Sequence, residues 1–292
     1  FSGASLTLAP GARLDASGGW YGDGAVTVAD GATLTLAGAP AGPAHYFTQA
    51  IVLQGDNTTL RLAPGSFSFS DLSSPAASRI TLGASATADA PETVYAGSVN
   101  AAQASMWIQE TAHWIVTGDS TLKQLQASQA LLSFDDMDQT REGFMARARS
   151  ASDMAGNLPL AAAIPPAYTL TADTLAATDS TLVFRVDPNG GDHDRLTVTT
   201  GLSGGGNRLR ITEFGDRPAS AAPVAREDLL LSAPASAPAD LFQLEQAYTN
   251  GTAADAADGN PWLGGLAVSH DADQRQWWFV SMRDDAPWRL SQ

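Results

Sequence analysis

One nine-residue pattern returns at a fixed distance. Leu6-Thr7-Leu8-Ala9-Pro10-Gly11-Ala12-Arg13-Leu14 is matched 20 residues later by Val26-Thr27-Val28-Ala29-Asp30-Gly31-Ala32-Thr33-Leu34. A third copy follows after a small insertion, through Ile51-Val52-Leu53, a turn at Gln54-Gly55-Asp56-Asn57, and Leu60-Arg61-Leu62, and Leu60/Leu62 return 20 residues later as Ile80/Leu82. Each copy is a short alternating strand, a tight polar turn and another short strand. Alternation at period two sends one set of side chains inward and the other to solvent. A single copy cannot bury its apolar face, but stacked copies can. The pattern therefore predicts an all-β parallel β-helix with Leu34, Leu60, Leu62, Ile80, Leu82 and Leu122 pointing into the solenoid. A leucine-rich horseshoe would need an Asn/Cys ladder and a helical side, which are missing. A β-sandwich is the main rival, yet hairpin-linked strands do not generate a fixed period.

The same grammar continues through Ala104–Ile108, His113–Leu122 and Leu131–Phe134, then stops. From Asp135 to about Pro166 there is no strand alternation, and the stretch from Asp135 to Arg149 reads as a weak helix followed by an Ala/Pro-rich connector. Strands resume at Tyr168. The expected division is a stem over 1–134, a non-repeating excursion over 135–166, and a capping module over 167–292. Four of the seven tryptophans fall in the last 31 residues. Trp262, Trp277, Trp278 and Trp288 are accordingly expected to seal the solenoid end.

Composition narrows the function. The net charge is −15, and Lys123 is the sole lysine, so phosphate-backbone binding and nucleic acid are excluded as partners. No cysteine is present, which removes disulfides, thiolate metal sites and a cysteine nucleophile. No stretch reaches the roughly 18 apolar residues of a spanning helix. The chain starts at Phe1 without a start methionine, and this reads as a mature product or cut fragment.

The run Trp114-Ile115-Val116-Thr117-Gly118-Asp119-Ser120-Thr121-Leu122…Leu125…Leu132-Ser133-Phe134 resembles the late coils of bacterial autotransporter passenger domains of the pertactin type. Tyr168-Thr169-Leu170…Leu175…Leu182-Val183-Phe184-Arg185-Val186-Asp187…Asp194-Arg195-Leu196-Thr197-Val198…Gly201 resembles their C-terminal stability (autochaperone) module. The ending Phe242-Gln243-Leu244…Trp278-Phe279-Val280-Ser281…Trp288-Arg289-Leu290 does so too. This resemblance implies a right-handed parallel β-helix at the surface of a Gram-negative bacterium. It also implies type V export through a downstream outer-membrane β-barrel as the chain's own partner. The 135–166 segment departs from the family pattern in length and charge.

Candidate chemistry is sparse. Asp135, Asp136 and Asp138, the loop Asp187–Asp194 and the pair Asp284-Asp285 are oxygen-rich, yet each fits a solvated turn, and the loop lacks the closing Glu of an EF-hand. His45, His113, His193 and His270 have no paired-ligand spacing. No GxSxG elbow accompanies the serines, and Gly204-Gly205-Gly206 reads as a turn. Thr117-Gly118-Asp119 reads as a family-pattern turn. No catalytic, metal or cofactor site is expected, and the chain is expected to be non-catalytic. Its expected role is a scaffold that templates its own folding during secretion and presents loops for adhesion to a host or bacterial surface protein. The alternatives are a self-associating adhesin and a β-helix carbohydrate-active enzyme. The candidate contact or cleavage element is the excursion, with Asp138, Arg141, Phe144, Met145, Arg147 and Arg149.

Overall fold

The computed structural model describes residues 5–17, 24–38, 45–83, 92–135, 166–187, 192–213, 226–245, 263–270 and 273–282. In these residues the chain winds as a parallel β-helix. The early coils use short strands: β1 (Leu6–Leu8) and β2 (Arg13–Ala16), then β3 (Ala25–Val28), β4 (Thr33–Leu36) and β5 (His45–Phe47). Next come β6 (Ala50–Leu53), β7 (Thr59–Leu62) and β8 (Ser66–Phe69), then β9 (Leu72–Ser73), β10 (Arg79–Leu82) and β11 (Thr93–Ala96).

From here two strands of each coil fuse into one long bent strand. The later coils are β12 (Val99–Ile108) with β13 (Ala112–Val116), β14 (Ser120–Ser128) with β15 (Leu131–Phe134), and β16 (Thr169–Thr178) with β17 (Thr181–Val186). After them come β18 (Arg195–Gly205) with β19 (Asn207–Glu213), and β20 (Arg226–Pro234) with β21 (Phe242–Leu244). The chain closes with β22 (Leu263–His270) and β23 (Gln274–Met282).

Equivalent strands stack in parallel. One sheet carries β1-β3-β6-β9-β12-β14-β16-β18-β20, with β2-β4-β7-β10 joining at β12. The other carries β5-β8-β11-β13-β15-β17-β19-β21. The repeat read from sequence is the pairing register. Leu6 pairs with Val26 and Val26 with Ile51; Leu34 pairs with Leu60 and Leu60 with Ile80. Leu34, Leu60, Leu62, Ile80, Leu82 and Leu122 are all buried in one continuous core.

Corners need another solution, because backbone groups turn away from the ladder there. Ser120 Oγ accepts the Val99 N–H at 3.0 Å, and Ser180 Oγ accepts the Ala130 N–H at 3.2 Å. Asn207 accepts the Ser180 N–H at 3.1 Å and donates to the Ala177 carbonyl at 2.8 Å.

Two expectations change. Gly204 and Gly205 are not a turn; they end β18 and pair with Ala177 and Thr178, leaving Gly206 as the bend. Gly204 has φ +120, and a Cβ there would lie 1.6 Å from the Ala177 carbonyl oxygen, so only glycine fits. The loop beginning at Asp187 is also more than a solvated turn, because its last residue, Asp194, is fully buried. The weak helix expected after Asp135 falls within 136–165, outside the described residues.

The C-terminal end reverses the pairing. β23 runs antiparallel to β20, and β22 antiparallel to β23. Trp277 is fully buried and meets Phe242 edge-on at 5.6 Å. Trp278 is half-buried, and its indole N–H donates to Ser269 Oγ at 3.0 Å. Of the two described tryptophans here, Trp277 packs into the core beneath the antiparallel pair β22–β23, whereas Trp278 does not. Trp262 and Trp288 lie outside the described residues.

Candidate functional site

Parallel stacking brings distant residues to one face, and two constellations result. The first is on the outer face of the second sheet. His113 on β13 faces β15, and its Nε2 lies 2.6 Å from Ser133 Oγ. The Glu92 carboxylate stands 3.9 Å from the other ring nitrogen. Burial drives the His113 imidazole down to about 4. Glu92 pulls the other way, but it is half exposed and beyond hydrogen-bond reach, so burial dominates.

The order serine, histidine, carboxylate is that of a nucleophile, its base and an orienting acid. A neutral imidazole suits the base. Yet the carboxylate is too far to fix the imidazole tautomer. Ser133 also sits inside β15, paired on one side with Ile115 and on the other with Val183. Its neighbouring amides therefore belong to a sheet and do not form the convergent pair that an oxyanion requires. The geometry matches a cross-strand ladder contact more closely than a working triad.

The second constellation lies beside Pro166 and Tyr168, just before β16. Arg185 on β17 is buried beside Asp194, which precedes β18. The guanidinium grips both carboxylate oxygens, at 2.9 and 3.0 Å. Asp194 also accepts the backbone N–H of Arg185 and of Tyr168, each at 2.9 Å. Arg185 donates further to the Pro166 carbonyl at 3.1 Å and lies over the Tyr168 ring. Burial raises the Asp194 carboxyl, against which the Arg185 guanidinium and the two amides act. His193 sits alongside, 3.4 Å from Asp228.

The clasp ties three coil segments together, so its evident role is to hold the starts of β16 and β18 against β17. The sequence carried a signal for it: a lone arginine inside the apolar run Leu182-Val183-Phe184-Arg185-Val186 must find a buried anion.

Other sequence candidates fall away or lie elsewhere. Among the described residues no group of three His, Asp or Glu side chains could hold a metal. Asp119 caps the start of β16 by accepting the Thr169 N–H at 2.8 Å. Asp136, Asp138, Arg141, Phe144, Met145, Arg147, Arg149, Asp284 and Asp285 lie outside the described residues. No helix among the described residues is long and apolar enough to cross a membrane.

No family model matches the chain. Among curated proteins, the serine protease EspC of Escherichia coli O127:H6 (strain E2348/69 / EPEC) is 27% identical over 237 residues, covering 75% of this chain. The chain spans 16% of that protein's length. This relative overturns the expectation of a non-catalytic protein: the likeness is to a serine protease and points toward enzymatic activity. The expectation rested on the lack of a nucleophile motif in 292 residues, a stretch too short to speak for a protein of the relative's size.

The same likeness supports secretion to the cell surface or the extracellular space. In sequence as in fold, the chain is similar to the exported β-helical passenger domain of a bacterial autotransporter.

Proposed function

We propose that this chain is the stem of an autotransporter passenger and that it templates its own folding from the C-terminal end during secretion. The observation behind this reading is the asymmetry of the solenoid. At the C-terminal end β20 is closed by the antiparallel β23 and β22, with Trp277 packed on Phe242. Every earlier strand in the ladder joins by parallel addition, so each finished coil offers the next an edge of matching register. A coil folded outside the membrane cannot slip back, which biases export outward. Outer faces and loops of the stem then present surface for adhesion to a host or bacterial protein.

The test is to display the chain on an outer-membrane barrel, with and without 226–282. The reading expects the truncated stem to be protease-sensitive at the surface although its ladder from β1 to β19 is untouched. Equal resistance of both forms would overturn it.

A second reading, favoured by the relative's name, is that the protein containing this stem is a serine peptidase. A fluorophosphonate probe applied to the full-length secreted protein tests this. Labelling of an active serine is expected; a protein that neither labels nor cleaves casein would remove the reading.

A further inference from the structure

The long strands bend, and the bends align. The pairing of β12 with β14 shifts between Ala101 and Ser105. That of β16 with β18 shifts between Ala172 and Thr174. The pairing of β14 with β16 passes from Leu122 to Gln124, stepping over Lys123. Stacked bends leave a concave corner along the solenoid, a groove of about 790 Å³ reaching from Asn57 to Thr200.

Its floor is a straight row in register, Thr59, Arg79, Ser105, Gln124 and Thr174, one residue per coil. The facing rail carries Gln103, Lys123 and Asp173, each exposed at its bend. The Arg79 guanidinium lies over the Trp107 ring, 4.3 Å from its centroid.

We propose that this groove binds a neutral, extended hexopyranose chain lengthwise, about one sugar unit per coil. Coils are roughly 4.8 Å apart, a rise commensurate with one pyranose of an extended glycan. Hydroxyls and amides recurring at that rise supply the paired donors and acceptors that sugar hydroxyls require. A peptide is disfavoured on two counts. Strand addition needs a free sheet edge, and this floor is mid-sheet with its ladder closed on both sides. Side-chain anchoring needs apolar pockets, and the floor is polar throughout. A polyanion is disfavoured by the net charge of −15, although Arg79 and Lys123 outnumber Asp173 in the groove itself, which is why the test includes an anionic chain. The proposal is independent of the folding role argued above.

The test uses the 292-residue chain with three neutral linear hexasaccharides, cellohexaose, mannohexaose and chitohexaose, and with hexagalacturonate as the anionic comparison. Binding is followed by NMR chemical-shift changes and calorimetry. At least one neutral hexamer should bind, more tightly than its trimer and more tightly than hexagalacturonate. Gln124→Ala and Lys123→Gln should each weaken that binding roughly tenfold, the loss expected for a hydrogen bond or two, with an unchanged melt. Absence of binding by all three neutral hexamers at millimolar concentration overturns the proposal. So does preference for the anionic hexamer, or affinity indifferent to both substitutions.

Discussion

Arg185 lies among apolar neighbours on β17, where an unpaired charge could not be tolerated. Its bidentate contact with Asp194 and the two amides on the same carboxylate satisfy that requirement. Replacing Asp194 by Asn keeps the shape but leaves a buried cation without its counter-charge. The expected cost is about 3–5 kcal/mol, read as a drop in denaturant midpoint. The double replacement Arg185→Met with Asp194→Leu should cost much less, because it removes both charges together. A single substitution as mild as the double one would show that the clasp is not acting as a buried ion pair.

His113 supplies a pH signature. Its native value of about 4 lies below its ordinary 6.5, so the folded form binds fewer protons than the unfolded form between those values. Stability therefore rises with pH across that window, is fully present above about 6.5, and is lost as pH falls toward 4. The shift corresponds to about 3 kcal/mol at most. His113→Gln keeps a polar group near Ser133 without titrating, and should flatten the melting profile between pH 4 and 6.5.

At the scale of elements, the link between β15 and β16 covers 135–168, while the same corner is closed by Thr117-Gly118-Asp119 between β13 and β14. Three residues are enough to make that connection. β14 pairs directly with β16 over eight residues from Ser120 to Ser128, and β15 pairs with β17. Replacing 139–163 with a short Gly/Ser link should therefore leave the melt of the solenoid unchanged. Collapse of folding would make that segment structural and would sink this expectation.

The ladder elements were legible from the chain because a period-two pattern at a 20-residue offset fixes both face and register, as Leu14 with Leu34 and Leu60 with Ile80 demonstrate. Long-range polar contacts were not. The stacking of Glu92, His113 and Ser133, or of Gln103, Lys123 and Asp173, depends on coil lengths that vary from turn to turn. The bends of β12 and β18 leave no alternation to read. Core substitution probes the legible part: Leu62→Asp would place an uncompensated charge in the interior and should unfold adjacent coils, since its cost rivals the whole margin of stability. An unchanged melt would refute the register.

Over the whole molecule, stability should be graded along the axis. Coils in a solenoid are held by their neighbours, so local stability follows the paired length and the quality of the end. The strands from β1 to β11 are two to four residues long, whereas β14, β16 and β18 have nine to eleven. The Arg185–Asp194 clasp and the Trp277–Phe242 contact both lie in the C-terminal part. A fragment of 1–134 keeps its own ladder but ends on the open edges of β14 and β15, deprived of β16 and β17. A fragment of 167–292 keeps four successive layers, β16 with β18, β20 and β23, together with its aromatic seal. Made separately, 167–292 should fold alone and unfold at a higher denaturant midpoint than 1–134, and limited proteolysis should degrade 1–134 first. A disordered 167–292 fragment, or a stem fragment that outlasts it, would place the nucleus elsewhere and remove the physical basis for folding that starts at the C-terminal end.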